Sequence, residues 1–346
     1  MCGEYTVCVR LREVNIDPKS GCEFQILWQP IHVYIVWYGT WSKSEKCVIR
    51  TAIQSLTPGK SIEKFPNLAS LWSIVSKYYQ EPQFAGDKRR YVSKKVSIVQ
   101  ELDDPHPRKS IDPNNDPVNI IYNHLAAGNL KHDLDQGVYF VFTGADVAFP
   151  AGGFCGYHDF TCYNTSLDCL TTENNFLYSF VPLPSAANGL SGSCNDFANP
   201  GGANFIPLPP PNYKVSPSGT LDSMIDTIMH ELMSLAVDPY LNAWKHVRTD
   251  INTEAADFCI FNYAAGDWDY CFLASTYYDF PQANDPNTCS SFPNPVHYLT
   301  DPVSKVHFNQ HGIDGSQFLV QKIWSLAQKG CASQPEGEIY AQFLSA

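Results

Sequence analysis

The sequence contains no stretch near the ~20 apolar residues that a bilayer-spanning helix requires, so it predicts no membrane span. Basic side chains are scarce: 23 Lys and Arg stand against 35 Asp and Glu, for a net charge of −12. That balance argues against nucleic acid as a partner. The one basic cluster, Lys88, Arg89 and Arg90 with Lys94 and Lys95, reads as a solvated loop ahead of a strand. No Cys-x-x-Cys pair of the zinc-ribbon kind is present. No Gly-x-Ser-x-Gly elbow occurs either; the nearest run, Gly189 to Ser193 beside Cys194, falls in a loop-like region where flexibility accounts for it. The glycine runs lack the strand-to-helix setting of phosphate loops.

What the chain does have is enough apolar material, 44% with 13% aromatic over 346 residues, to bury a sizeable core rather than stay disordered. Its charged residues amount to only 17%, so Asn, Ser, Thr, Gln and Tyr must supply much of the surface polarity. Twelve cysteines are too many for an ordinary cytosolic chain and predict disulfides made in an oxidising compartment. The sequon Asn164-Thr165-Ser166, between Cys162 and Cys169, agrees with secretion, Asn164 being either glycosylated or an ordinary loop residue. The first residues carry charges and no apolar core segment, so a secreted chain would begin here as a mature form or an incomplete start.

Along the chain, residues 1–28, with Cys2, Cys8 and Cys22, read as a disulfide-tied extension. Ile31 to Gly39 is rich in β-branched and aromatic residues, which predicts a central strand. Helices are expected from Ser44 to Leu56, around Leu68 to Tyr78 and around Val118 to Leu125, with strands at Val96–Gln100, Gly137–Thr143 and Phe176–Val181. This alternation indicates an α/β, or mixed α+β, layered domain. From Pro150 to Gly219 the chain is mostly loop-like, and Cys155, Cys162, Cys169 and Cys194 favour cross-linking there. Leu221 to Ala236 forms a wide apolar helical stripe, ended by Asp238-Pro239. Beyond it, Cys259, Cys271, Cys289 and Cys331 are further disulfide candidates, Gln317 to Leu326 reads as a last helix, and residues 333–346 as a tail.

His230-Glu231 on that helix starts the pattern of a zinc hydrolase, in which His at i and i+4 share a face and a downstream ligand completes the site. His230 would be a ligand and Glu231 the general base. The i+4 position is Ser234, a poor ligand. Glu254 and Asp257, spaced i and i+3, are the downstream candidates if their segment is helical; His246 or Asp226 could fill the vacancy. The alternative is purely structural: an Asp226 to His230 pair one turn apart, with a solvated Glu231. His158, likewise, reads either as a turn histidine beside a disulfide or as a ligand.

Several segments together resemble the plant Exordium, or phosphate-induced, protein family and its microbial relatives. They are Val33 to Gly39; Ile49-Arg50 with Ile53 to Leu56; Val138 to Val147; Cys155-Gly156-Tyr157-His158; His230 to Pro239; Asn242-Ala243-Trp244; Glu254 to Cys259; and Phe318 to Gln321 with Trp324. The resemblance covers residues 29–332 and implies a single zincin-like layer domain: a mixed sheet, the motif helix packed on it, and long disulfide-rich loops. It also implies a secreted, extracellular or cell-wall location and a motif reading His-Glu-x-x-Glu, whose second Glu is Ser234 here. The preferred expectation is a secreted structural or interaction protein with a degenerate metallohydrolase-like site, Ser234 in place of a ligand weighing against enzymatic activity without deciding it. Its partners would be a cell-wall or matrix protein or polysaccharide, with self-association open. A zinc-dependent hydrolase is the second expectation. The third is a carbohydrate-binding protein using Trp268, Tyr270, Tyr277 and Tyr278.

Overall fold

Ile31–Tyr38 (β1) is buried along nearly its whole length, which its unbroken β-branched and aromatic sequence requires of a strand covered on both faces. The computed structural model that places it describes residues 25–57, 64–82, 86–105, 107–133, 135–149, 154–162, 175–191, 194, 210–241, 243–247, 252–259, 299–327 and 330–334. Helix α1 (Lys43–Gln54) follows, started by a capping box between Ser42 and Glu45. A second box, Asn67 with Ser70, starts α2 (Leu68–Val75). The short strands β2 (Tyr79–Gln80) and β3 (Arg90–Tyr91) pair as a hairpin and lead to β4 (Val96–Asp103). Then come α3 (Asp116–Ala126), β5 (Gly137–Thr143), β6 (Tyr157–Cys162) and β7 (Asn175–Pro182).

These strands form one sheet in the order β4-β1-β5-β7-β6. The first four are parallel, while β6 runs antiparallel on the edge beside β7. Alternating side chains feed two cores. Val33, Ile35, Trp37, Phe140, Phe142, Leu177 and Val181 face α1, α2 and the motif helix; Tyr34, Val36, Tyr139, Val141, Tyr178 and Phe180 face α3.

The motif helix α4 (Thr220–Val237) packs on the first of these faces, against β7 and β6. Of its residues only Thr220, Thr227 and His230 escape full burial. Its apolar stripe contributes about 1.5–3 kcal/mol for each fully buried aliphatic side chain, Leu232 and Ile228 among them. After α4 the chain makes β8 (Lys245–Val247) paired with β9 (Asn252–Glu254), then a 3-10 turn at Asp257–Cys259. Three more small hairpins close the domain. They are β10 (Leu299–Thr300) with β11 (His307–Phe308), β12 (Gln310–His311) with β13 (Gln317–Phe318), and β14 (Ile323–Ser325) with β15 (Gly330–Ala332).

Two sequence expectations fail here. Gln317 to Leu326 is not a helix: its apolar residues sit at helical spacing, but Phe318, Leu319, Val320 and Ile323 are all buried, which two short strands and an extended link achieve without a polar helix face. His158 is not in a turn but inside β6, opposite Ser179 of β7. The layered α/β architecture, the central position of β1 and the packing of the motif helix on a mixed sheet agree with the sequence reading. No helix among the described residues is long and apolar enough to cross a membrane.

Candidate functional site

Helix α4 turns His230, Glu231 and Ser234 toward β6 and the chain beyond β9. His158 reaches them because Gly156, just before it, lets the start of β6 press on the helix. A Cβ at Gly156 would fall 2.6 Å from Thr227 Cγ2 and 3.3 Å from Glu231 Oε1. The disulfide Cys155–Cys194 anchors that entry. From the opposite side a second disulfide, Cys259–Cys331, fixes the turn carrying Glu254 and Asp257 to β15.

The charged groups pair off. His158 Nδ1 lies 2.9 Å from Glu231 Oε2, and its Nε2 lies 3.5 Å from Glu254 Oε1, an ionic contact longer than a good hydrogen bond. His230 Nε2 is 3.2 Å from Asp257 Oδ1, and Nδ1 is 3.1 Å from Gln321 Oε1. Gln321 Nε2 donates to the Ala256 carbonyl, which fixes its Oε1 as the acceptor for His230. The Gln321 backbone N–H donates to Asp226 Oδ1, and the Glu254 N–H donates to Asp257 Oδ2. With acceptors at both ring nitrogens, His230 serves as a donor twice and is held as an imidazolium.

The electrostatics agree. Burial works against charge on His158, yet Glu254 and Glu231 outweigh it and raise its pKa to about 9. Burial likewise opposes charge on His230, but Asp257 and Glu231 carry it up to about 10. Burial, with Asp257 and Asp238 nearby, pushes Glu254 up to about 7 against the lowering influence of His158 and Ser234. Burial also acts against the Asp257 anion, and His230 overcomes it, so its pKa is lowered. The Ser234 hydroxyl is fully buried beside Glu254 and reaches no partner with good hydrogen-bond geometry.

Of the residues singled out in the sequence, His158, His230, Glu231, Glu254 and Asp257 are brought together. Glu254 and Asp257 converge through a β9-to-turn bend rather than a shared helix face. Glu231 is not solvated but buried at 6% exposure, because His158 supplies the compensating charge. His246 places its backbone on β8 opposite Thr253, and its side chain lies outside the described residues. So do Asn164, Cys169, Cys271, Cys289, the side chain of Cys162, and Trp268, Tyr270, Tyr277 and Tyr278. Gln321 and Asp238 were missed by sequence reasoning, since neither stands at ligand spacing from His230.

The donor set is that of a zinc site in kind but not in arrangement. Among the described residues no three His, Cys, Asp or Glu side chains are grouped to hold a metal ion. A metal at His230 would have to displace both a proton and the Gln321 or Asp257 partner, and Ser234 offers only a hydroxyl where the pattern asks for His or a carboxylate.

Residues 23–275 match the phosphate-induced protein 1 conserved region. Curated relatives include Protein EXORDIUM-like 5 of Arabidopsis thaliana, 26% identical over 88% of this chain and 74% of its own length. Protein EXORDIUM-like 3 of the same plant is 28% identical over 70% of this chain and 68% of its own. Protein PHOSPHATE-INDUCED 1 of Nicotiana tabacum is 22% identical over 89% and 85%. No solved structure matches.

Proposed function

Because this chain belongs to the phosphate-induced protein 1 family, we propose that it is a secreted structural or interaction protein of the cell wall or extracellular matrix. Its scaffold is zincin-like, with α4 lying on the sheet beside an antiparallel edge strand, and its metallohydrolase-like centre is degenerate. The observation that carries this reading is the saturation of His230 from within: Gln321 at 3.1 Å and Asp257 at 3.2 Å use both ring nitrogens. The centre then acts as a clamp. It joins β6, α4, the turn after β9 and the segment before β14, four parts of the chain that among the described residues share no one helix or sheet. The two disulfides flanking it support an oxidising compartment.

Metal content of the natively secreted protein, purified without chelators, tests the reading. Substoichiometric zinc is expected, with His230→Ala lowering thermal stability and leaving metal content unchanged. Stoichiometric zinc that disappears in His230→Ala would overturn it in favour of a zinc-dependent hydrolase with Glu231 as general base. A mobility shift on deglycosylation, lost in Asn164→Gln, is expected for a glycosylated secreted chain.

A further inference from the structure

The basic cluster is exposed and leads into a strand, as its sequence predicts, and it is also ordered against aromatic rings. Residues 81–95 hold five Lys and Arg against Glu81 and Asp87, a net +3 within a chain of net −12, so the remaining sequence carries −15. Lys88, Arg89, Arg90, Lys94 and Lys95 are all exposed. They stand on the β2–β3 hairpin and the link to β4, which is pinned in place by backbone bonds from Ser93 N to the Leu27 carbonyl and from Ile31 N to the Lys95 carbonyl.

Aromatic rings are interleaved with these cations. Arg90 stacks over Trp28 at 4.4 Å and Arg89 over Tyr79 at 4.0 Å. Tyr91 lies beside Tyr79, with ring centroids 6.0 Å apart. Trp244 backs Tyr79 edge-on at 5.1 Å, and its indole N–H donates to the Tyr79 carbonyl. Trp28 and Tyr91 are 42% and 49% exposed. Of the three largely exposed aromatic residues among those described, the third being Tyr122, two flank this one hairpin. The Arg89–Glu81 pair leaves Arg89 partly open, with 43% of its side chain exposed.

We propose that this hairpin is a binding site for an acidic polysaccharide, with a sugar ring resting on Tyr91 and sugar carboxylates or sulfates paired with Lys88, Lys94, Lys95 and Arg90, the last braced on the Trp28 ring. The C–H face of a sugar ring suits an exposed aromatic plane, and a guanidinium fork suits a carboxylate. A neutral glycan would leave the charge unused. A nucleic acid, with its dense phosphate charge, would meet an otherwise acidic surface. The separated aromatic plates lack the contiguous apolar area of a protein-docking face. The inference deepens the extracellular reading by naming a class of partner, and it involves no residue of the histidine centre.

The test is binding of the intact protein to polygalacturonate, to fully methyl-esterified polygalacturonate and to a single-stranded DNA oligonucleotide. Saturable, salt-sensitive binding to polygalacturonate is expected, with little to the esterified polymer. Tyr91→Ala and the double variant Lys94→Ala/Lys95→Ala should each weaken it about tenfold with unchanged melting temperature. No saturable binding at low salt, equal binding to the esterified polymer, tighter binding to DNA, or full binding by both variants would each overturn the proposal. Such a failure is distinguishable from failure of the extracellular reading, which stands on metal content and secretion.

Discussion

His158→Ala is the sharpest probe of the buried centre. The imidazole is 5% exposed and its two carboxylate partners, Glu231 and Glu254, are 7% and 14% exposed, so removing it strands two anions away from water. Breaking a buried pair in this way costs about 3–5 kcal/mol, which for a domain of this size lowers the melting temperature by roughly 10 °C. The loss must depend on pH in a defined sense. In the native protein the His158 pKa is raised from 6.5 to about 9, so its stabilisation is complete below about 6.5 and is lost as pH rises through 9. In the variant Glu254, already raised by burial, loses the lowering influence of His158, so its penalty fades as pH falls toward its unfolded ~4.3. The difference between native and variant proteins is therefore greatest between about pH 6 and 9. Urea unfolding at pH 4.5, 7 and 9.5 reads it directly, and adding Glu231→Gln to the variant should restore much of the loss at pH 7. A cost below about 1 kcal/mol, flat with pH, would mark these pairs as ordinary solvated contacts and refute the argument.

The native protein should itself be most stable in mildly acidic solution. Glu254, raised to about 7, is penalised as pH climbs from its unfolded value of ~4.3, and Asp257, with its lowered pKa, loses its contribution only in stronger acid. Thermal melts from pH 3 to 10 should peak near pH 5–6, and a maximum at pH 8 or above would contradict this ordering of shifts. Ser234→Glu adds a further carboxylate where the hydroxyl is wholly buried beside Glu254. It should cost about 3 kcal/mol or more at pH 7 and be rescued by added zinc in calorimetry; a variant as stable as the parent without metal would deny that proximity. Removing the Cys259–Cys331 bridge as a paired Cys→Ser variant opens a closure of 72 residues. The expected loss is about 4 kcal/mol in denaturant unfolding, and a loss under 1 kcal/mol would mean that the turn is held without it.

Most of the sheet was legible because its strands carry their environment in their composition: the β-branched and aromatic runs of β1 and β5 predict strands, and both are buried along nearly their whole length. Helices α1 and α4 were equally plain from apolar spacing. Edge strand β6, with His158, Asp159 and Thr161 among its residues, has no such signal. It is a strand because β7 offers it a register, opposite Phe176 to Phe180. The end of the chain misled for a related reason. Short apolar runs such as Phe318 to Val320 suit a helix or a buried strand equally, and the choice falls to tertiary partners such as Asn309, whose side chain bonds both the N–H and the carbonyl of Val320. Within the site, spacing located His230, Glu231, Glu254 and Asp257 but not their pairing, since His158 and Gln321 stand 73 and 91 residues from their partners on α4.

The near-complete burial of α4 also sets an order on biogenesis. When the ribosome has delivered Val237, the sheet that covers one side of the helix is already outside, but Glu254, Asp257, Gln321 and the Cys331 thiol have yet to be made. At ordinary elongation rates that interval is roughly 5–20 s. Throughout it His230 sits on the helix without Asp257 or Gln321, the two groups that satisfy its ring nitrogens in the finished fold. The nascent chain is therefore a client for chaperones and oxidoreductases until its last hairpin arrives, and fragments ending between α4 and β15 should be recovered bound to them or aggregated.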